Sequence, residues 1–337
     1  MTQDQPQVVD CHVHAVPEAL LAEVADRPDP DGVEVRRTPE GYAVTMPGAP
    51  ERLVRPRMSG AAVRDKTLAA MGIDGHVLAP WLDVQPTAAM PSTRARSWAR
   101  RLNEALLASR QEVGSVVGCW ASVAVDDPAT AADDLARAVE VGMRGLVLST
   151  DPVHCESLAD PRLEPVWSAA EALRVPVMLH PSADGPSRVL PGSAPFANVY
   201  CRLVDTSFAV AKLLLAGVLD RHPALRLVTV HGGGMVPFQS GRLDGGHRAD
   251  ALSSYTIERE KPSDYLADLY YDTVAMSPAA IRFLVDAVGA DHVLLGTDFP
   301  FALGDPDPVG AVNSAHLEAD AAARILGRNV LDLLERA

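Results

Sequence analysis

Short apolar runs recur along this chain, and several end in a polar or ionisable side chain. Examples are Val175-Pro176-Val177-Met178-Leu179-His180, Leu225-Arg226-Leu227-Val228-Thr229-Val230-His231 and His292-Val293-Leu294-Leu295-Gly296-Thr297-Asp298. Near-continuous Val and Leu runs of this length, rather than an in-out alternation, predict strands buried on both faces of a parallel sheet. The pattern places strands at 8–14, 76–80, 116–123, 145–149, 175–180, 225–231, 269–273 and 292–298. Between them, apolar positions fall at helical spacing over 61–71, 94–112, 128–141, 161–173, 200–219 and 279–288. Eight strands alternating with helices predict an α/β fold closed as a (β/α)8 TIM barrel. The stretch 318–335 predicts packing helices that close the barrel, and the whole chain, 1–337, reads as one domain.

One segment departs from the alternation. Residues 15–60 are rich in Pro, Gly and charge, and within them 33–37 and 42–46 flank Thr38-Pro39-Glu40-Gly41 as a small hairpin. A long structured loop directly after the first strand predicts a lid or pocket wall.

Composition narrows the function. The formal net charge is −14, so polyanionic nucleic acid and anionic membrane are disfavoured partners. No apolar run approaches the ~20 residues that span a bilayer, and the polar start Met1-Thr2-Gln3-Asp4 carries no basic n-region. The four cysteines, Cys11, Cys119, Cys155 and Cys201, are scattered without a Cys-x-x-Cys pair, which suits a reduced, cytoplasmic compartment. Of the 30 basic residues only Lys66, Lys212 and Lys261 are lysines.

The chemistry lies at the strand ends. His12 and His14 stand two apart on a strand, so both rings share one face and can converge on one ion. Alternation turns the intervening Cys11 away from them. His180, His231 and Asp298 each end a later strand, and strand carboxyl ends share one rim in such a barrel. Three imidazoles and one carboxylate suit Zn²⁺, with Mn²⁺ the alternative when substrate and water add oxygen ligands. His154 follows strand four on the same rim, and Trp81 and Phe196 are aromatic candidates for a flat substrate. Gly232-Gly233-Gly234 lacks the spacing and Lys of a phosphate loop, and close backbone approach explains it instead.

Asp10-x-His12-x-His14, Val177-Met178-Leu179-His180-Pro181, His231-Gly232-Gly233-Gly234 followed by Gly241-Arg242-Leu243-Asp244, and Leu295-Gly296-Thr297-Asp298-Phe299-Pro300 resemble the amidohydrolase-related family. The likeness is to its branch of aminocarboxymuconate-semialdehyde and resorcylate-type decarboxylases. That resemblance implies His12, His14, His180 and Asp298 as ligands of one divalent ion, with His231 beside its water. His231 and Asp298 then handle the protons. It also implies Arg242 reaching into a neighbouring site, hence a homodimer, and Arg55 or Arg52 on the carboxylate of a small acid. Two-metal relatives use a strand-four lysine, whereas this chain has Ser149 and Thr150 there. The expected activity is carbon–carbon lysis of an aromatic or muconate-type acid. The alternative is a hydrolase or hydratase acting on a lactone, amide or enol.

Overall fold

In the computed structural model, which describes residues 7–183 and 185–335, the strand runs are mostly buried. Among these residues the strands are β1 (Val9–Ala15), β2 (Glu34–Thr38), β3 (Gly41–Thr45), β4 (Arg52–Val54), β5 (Gly75–Pro80), β6 (Val116–Ala121), β7 (Gly145–Ser149), β8 (Val177–His180), β9 (Leu227–Thr229), β10 (Leu269–Asp272) and β11 (Val293–Leu294). β1 and β5 to β11 pair in parallel in chain order. Residues just beyond β11 close the seam onto β1. Cys11 N–H donates to the Leu295 carbonyl (2.9 Å), Asp298 N–H to that of His12 (3.0 Å), and His14 N–H to that of Phe299 (2.8 Å). The result is the (β/α)8 barrel that the alternation predicts.

The barrel interior is one apolar cluster containing Val9, Cys11, Val77, Trp120, Val147, Met178, Val228 and Leu294 from seven strands. Val330, Leu333 and Leu334 of the helix Asn329–Glu335 join it and close the barrel as expected of the terminal stretch. Outside, Val13 and Ala15 pack with Leu68, Trp98 and Leu102 of the surrounding helices. Cys11 therefore faces inward, contrary to simple alternation. The β1–β5 register shifts between Asp10 and Val13, so the inward parity changes from Val9 and Cys11 to His12 and His14.

The insertion is larger than a hairpin. β2 and β3 pair antiparallel with Thr38 opposite Gly41, and β4 adds a third strand against β3. Gly41 has φ +133°, and a Cβ there would lie 2.3 Å from the Val54 carbonyl oxygen, so only glycine lets the strands approach. The predicted helix 200–219 breaks at Gly217 (φ +66°), giving Arg202–Leu215 and Val218–Arg221. Among the described residues no helix is long and apolar enough to cross a membrane.

Candidate metal centre and its cavity

At the carboxyl ends of β1, β8 and β9, and just past β11, the backbone delivers four imidazoles and a carboxylate to one place. His12 Nε2 lies 3.1 Å from His14 Nε2. Asp298 Oδ1 lies 3.4 Å from the first and 3.2 Å from the second. Donors bonded to one ion at about 2.1 Å, and about 90–110° apart, are separated by roughly 3.0–3.4 Å. The triangle therefore has the size that a shared cation requires. Donor atoms of His12, His180, His231 and Asp298 all lie within 4.8 Å of one another. His231 Nε2 faces the other carboxylate oxygen, Asp298 Oδ2, at 3.6 Å.

The hydrogen-bond inventory agrees. His12 Nδ1 donates to Asp272 Oδ2 at 2.7 Å and His180 Nδ1 to the Pro181 carbonyl at 2.9 Å, which leaves a lone pair on each Nε2. His180 Nε2 and Asp298 Oδ1 are buried without a hydrogen-bond partner, as are His14 Nδ1 and His231 Nδ1. A cation in the cluster would take the lone pairs of His180 Nε2 and Asp298 Oδ1, whose burial without a partner is otherwise costly. Burial pushes His14 down to about 4, and burial plus the adjacent imidazoles holds His180 well below the usual range. Both rings are neutral at neutral pH, as ligands must be. For Asp298, burial acts upward but is outweighed by the adjacent imidazoles of His14, His231 and His12, keeping the carboxyl well below its ordinary range. For His12, burial acts downward and is outweighed by Asp272 and Asp298, so the net shift is upward. The donor set fits a divalent metal ion.

The surrounding chain holds these groups in place. Asp10, pushed up to about 7 by burial, accepts from Thr297 Oγ1 (2.5 Å) and from His12 N–H (2.8 Å), tying β1 to the segment that carries Asp298. His231 and Asp298 both have left-handed backbones, φ +56° and +58°, a strained conformation that aims a side chain off a strand end. Ser149 lies opposite His180 in the β7–β8 register, so a serine occupies the place where a bridging lysine would be needed.

Asp272 escaped sequence reasoning. It is fully buried at the end of β10, bonds His12, and accepts the Gly232 amide at 2.9 Å. The signal was present, since its strand also ends in an ionisable group. Its role is to fix the His12 tautomer and ring direction.

Above the cluster opens a cavity of about 1110 Å³. Among the described residues its wall carries Arg52, Arg55, Arg57, Arg188 and Arg202 against Asp83 and Asp298, a local basic excess in an acidic protein. Arg52 pairs with Asp83 at 3.0 Å, Arg55 with Glu40 at 3.4 Å, and Arg57 lies over the Phe299 ring at 5.1 Å. The insertion contributes Arg52, Leu53, Arg55, Arg57 and Met58, so it is a pocket wall. Trp81 lines the cavity, 6.0 Å from Phe301, which in turn lies 5.2 Å from His14. Phe301, Arg188 and Arg202 were not singled out from sequence. Phe196 and His154 are exposed and outside this lining. Arg242 is also exposed and borders a separate shallow depression with Gly245 and Gly246.

A family model described as Amidohydrolase matches residues 9–336. The chain is 29% identical over 198 residues to a 2-amino-3-carboxymuconate-6-semialdehyde decarboxylase of Dictyostelium discoideum, covering 58% of this chain and 54% of that enzyme. It is 28% identical over 244 residues to a gamma-resorcylate decarboxylase of a Polaromonas species, covering 68% and 74%. The match thus spans about half the length of the first relative and about three quarters of the second. Among solved structures, a 5-carboxyvanillate decarboxylase of Novosphingobium aromaticivorans, complexed with manganese and 4-hydroxy-3-methoxy-5-nitrobenzoic acid, superposes with TM-score 0.81. That superposition covers 99% of both chains at 18% identity, which shows a shared fold.

Proposed function

The chain belongs to the amidohydrolase family, and on that premise we propose that it is a divalent-metal-dependent, non-oxidative decarboxylase of a small aromatic carboxylic acid. The carrying observation is the donor triangle of 3.1, 3.4 and 3.2 Å at the floor of an arginine-walled cavity. The relatives named for aminocarboxymuconate-semialdehyde and gamma-resorcylate decarboxylation support the same reading.

His12, His14, His180 and Asp298 hold the ion, one per chain, zinc or manganese. The manganese in the related solved structure makes that metal as worthy a test as zinc. When bound, the ion supplies Lewis acidity that polarises substrate oxygens and spreads developing negative charge. The arginine wall orients the acid, and Trp81 and Phe301 flank its ring. His231 Nε2 and Asp298 Oδ2, 3.6 Å apart, hold and relay the proton that the reaction consumes. That proton is delivered to the ring carbon bearing the carboxylate, which interrupts conjugation there. The carbon–carbon bond then breaks, its electron pair returns to the ring, and CO₂ leaves. One proton enters for each CO₂ released.

The active species is a homodimer in this reading. Val199, Phe238, Met276 and Leu303 both line the cavity and are exposed, and Tyr200, next to Val199 in the chain, is exposed as well. An apolar rim of this kind favours coverage by a second copy. In that dimer Arg242, exposed and outside its own cavity, is the arginine that reaches the neighbouring site.

The test is CO₂ release from a panel of hydroxybenzoic and carboxymuconic acids by protein loaded with zinc or manganese. Turnover of at least one acid, with one proton taken up per CO₂, is expected. Turnover of lactones without CO₂ reassigns the site to hydrolysis.

A further inference from the structure

Resting on that reading, we infer that Arg202, supplied by the same chain, is the residue that pairs with the substrate carboxylate. Four other arginines line the cavity, and three are engaged by their surroundings: Arg52 by Asp83, Arg55 by Glu40 and Arg57 by the Phe299 ring. Arg202 differs in its attachments. One Nη1–H donates to the Pro181 carbonyl at 2.9 Å, the oxygen that also accepts from His180 Nδ1. Its Nε–H donates to Asn198 Oδ1 at 3.3 Å. One carbonyl oxygen therefore links the guanidinium to a metal-binding ring. Among the described residues no carboxylate lies within ion-pair distance of Arg202, so the cation faces the cavity with donors to spare.

The local backbone points the same way. A π-helical turn, Ala197–Cys201, feeds the helix Arg202–Leu215, and Ala197, Asn198, Val199, Arg202 and Leu203 all line the cavity. The amino end of this continuous helical run, which starts at Ala197, thus forms part of the wall, with Arg202 about one turn further along it. A cation there is disfavoured by the helix dipole unless an anion joins it. A bidentate carboxylate satisfies both the dipole and the guanidinium.

Binding of 2,6-dihydroxybenzoate and of resorcinol, the same ring without its carboxylate, isolates this contact in manganese-loaded protein. Calorimetry on wild type, Arg202→Gln, Arg202→Lys and Arg188→Gln gives the readout, with metal content and thermal unfolding measured alongside. Arg202→Gln should weaken the acid about 10- to 100-fold, leave resorcinol within twofold, and keep its metal. Arg202→Lys should recover part of the loss, and Arg188→Gln should match wild type. Retention of the wild-type preference for the acid in Arg202→Gln overturns the assignment alone. So does loss of metal from that variant, which makes Arg202 a support for His180. Wild-type protein that binds neither ring overturns the decarboxylase reading and this assignment together.

Discussion

The floor of the cavity and its wall are built in opposite ways. On the floor, each donor is carried by a buried barrel strand or the turn that ends it, and three are held by a neighbour: His12 by Asp272, His180 by the Pro181 carbonyl, Asp298 through Thr297 and Asp10. The wall is assembled from the insertion, from loops and from the first turn of one helix, and its arginines keep partial exposure or pair with acids at the surface. Rigid strands suit a cation that tolerates little displacement of its ligands. Loops suit the substrate contact, where one scaffold accommodates different acids by changing side chains.

The comparison predicts unequal responses to mutation. Removing a floor donor should be most severe. Asp298→Ala should lose the metal by elemental analysis and at least about 10³-fold in kcat/KM, because one carboxylate both ligates and relays the proton. Metal retained with near-normal turnover breaks the distinction. Asp272→Asn touches the ion only through His12, and its metal affinity should fall about 10- to 100-fold in a chelator titration. An unchanged affinity reduces Asp272 to a packing residue.

Gly41→Ala probes the wall without touching the floor. Alanine at φ +133° against the Val54 carbonyl should destabilise the three-stranded sheet by about 1–3 kcal/mol and raise KM, while one metal ion per chain remains. Loss of metal from this variant means that floor and wall are one unit.

Acid provides a probe remote from both floor and wall. His76, at the start of β5 on the far side of the barrel from the site, is pushed down to about 3 by burial and by the nearby Arg64 charge. Only the unfolded chain takes up its proton between pH 6.5 and about 3. Stability is therefore full above 6.5 and falls by up to about 1.4 kcal/mol per pH unit below it. His76→Gln should flatten that decline in denaturant titrations at pH 4.5–7, and an unaltered slope assigns the acid sensitivity elsewhere.

The same contrast explains what was legible beforehand. His12, His14, His180, His231 and Asp298 stand at the ends of apolar runs, where periodicity and residue type together announce a barrel rim. Asp272 stands there too, but its partnership with His12 crosses 260 residues and leaves no local trace. Cys11 was assigned the wrong face because alternation assumes an unbroken ladder, and β1 shifts register at that point. β4 has only three residues, too few for any period to register, and so Arg52 was placed by family likeness instead. Arg188 and Arg202 lie in a loop and at a helix start, where spacing carries no information about which cavity a side chain enters. Phe196 is aromatic and follows His180, yet the 3₁₀ turn Ala194–Phe196 leaves it on the surface.

The most direct test of the convergent floor is anomalous diffraction from crystals soaked in manganese. The account predicts a single strong peak per chain within bonding distance of His12, His14, His180 and Asp298. Two peaks, or none at that position under saturating manganese and zinc, contradict it.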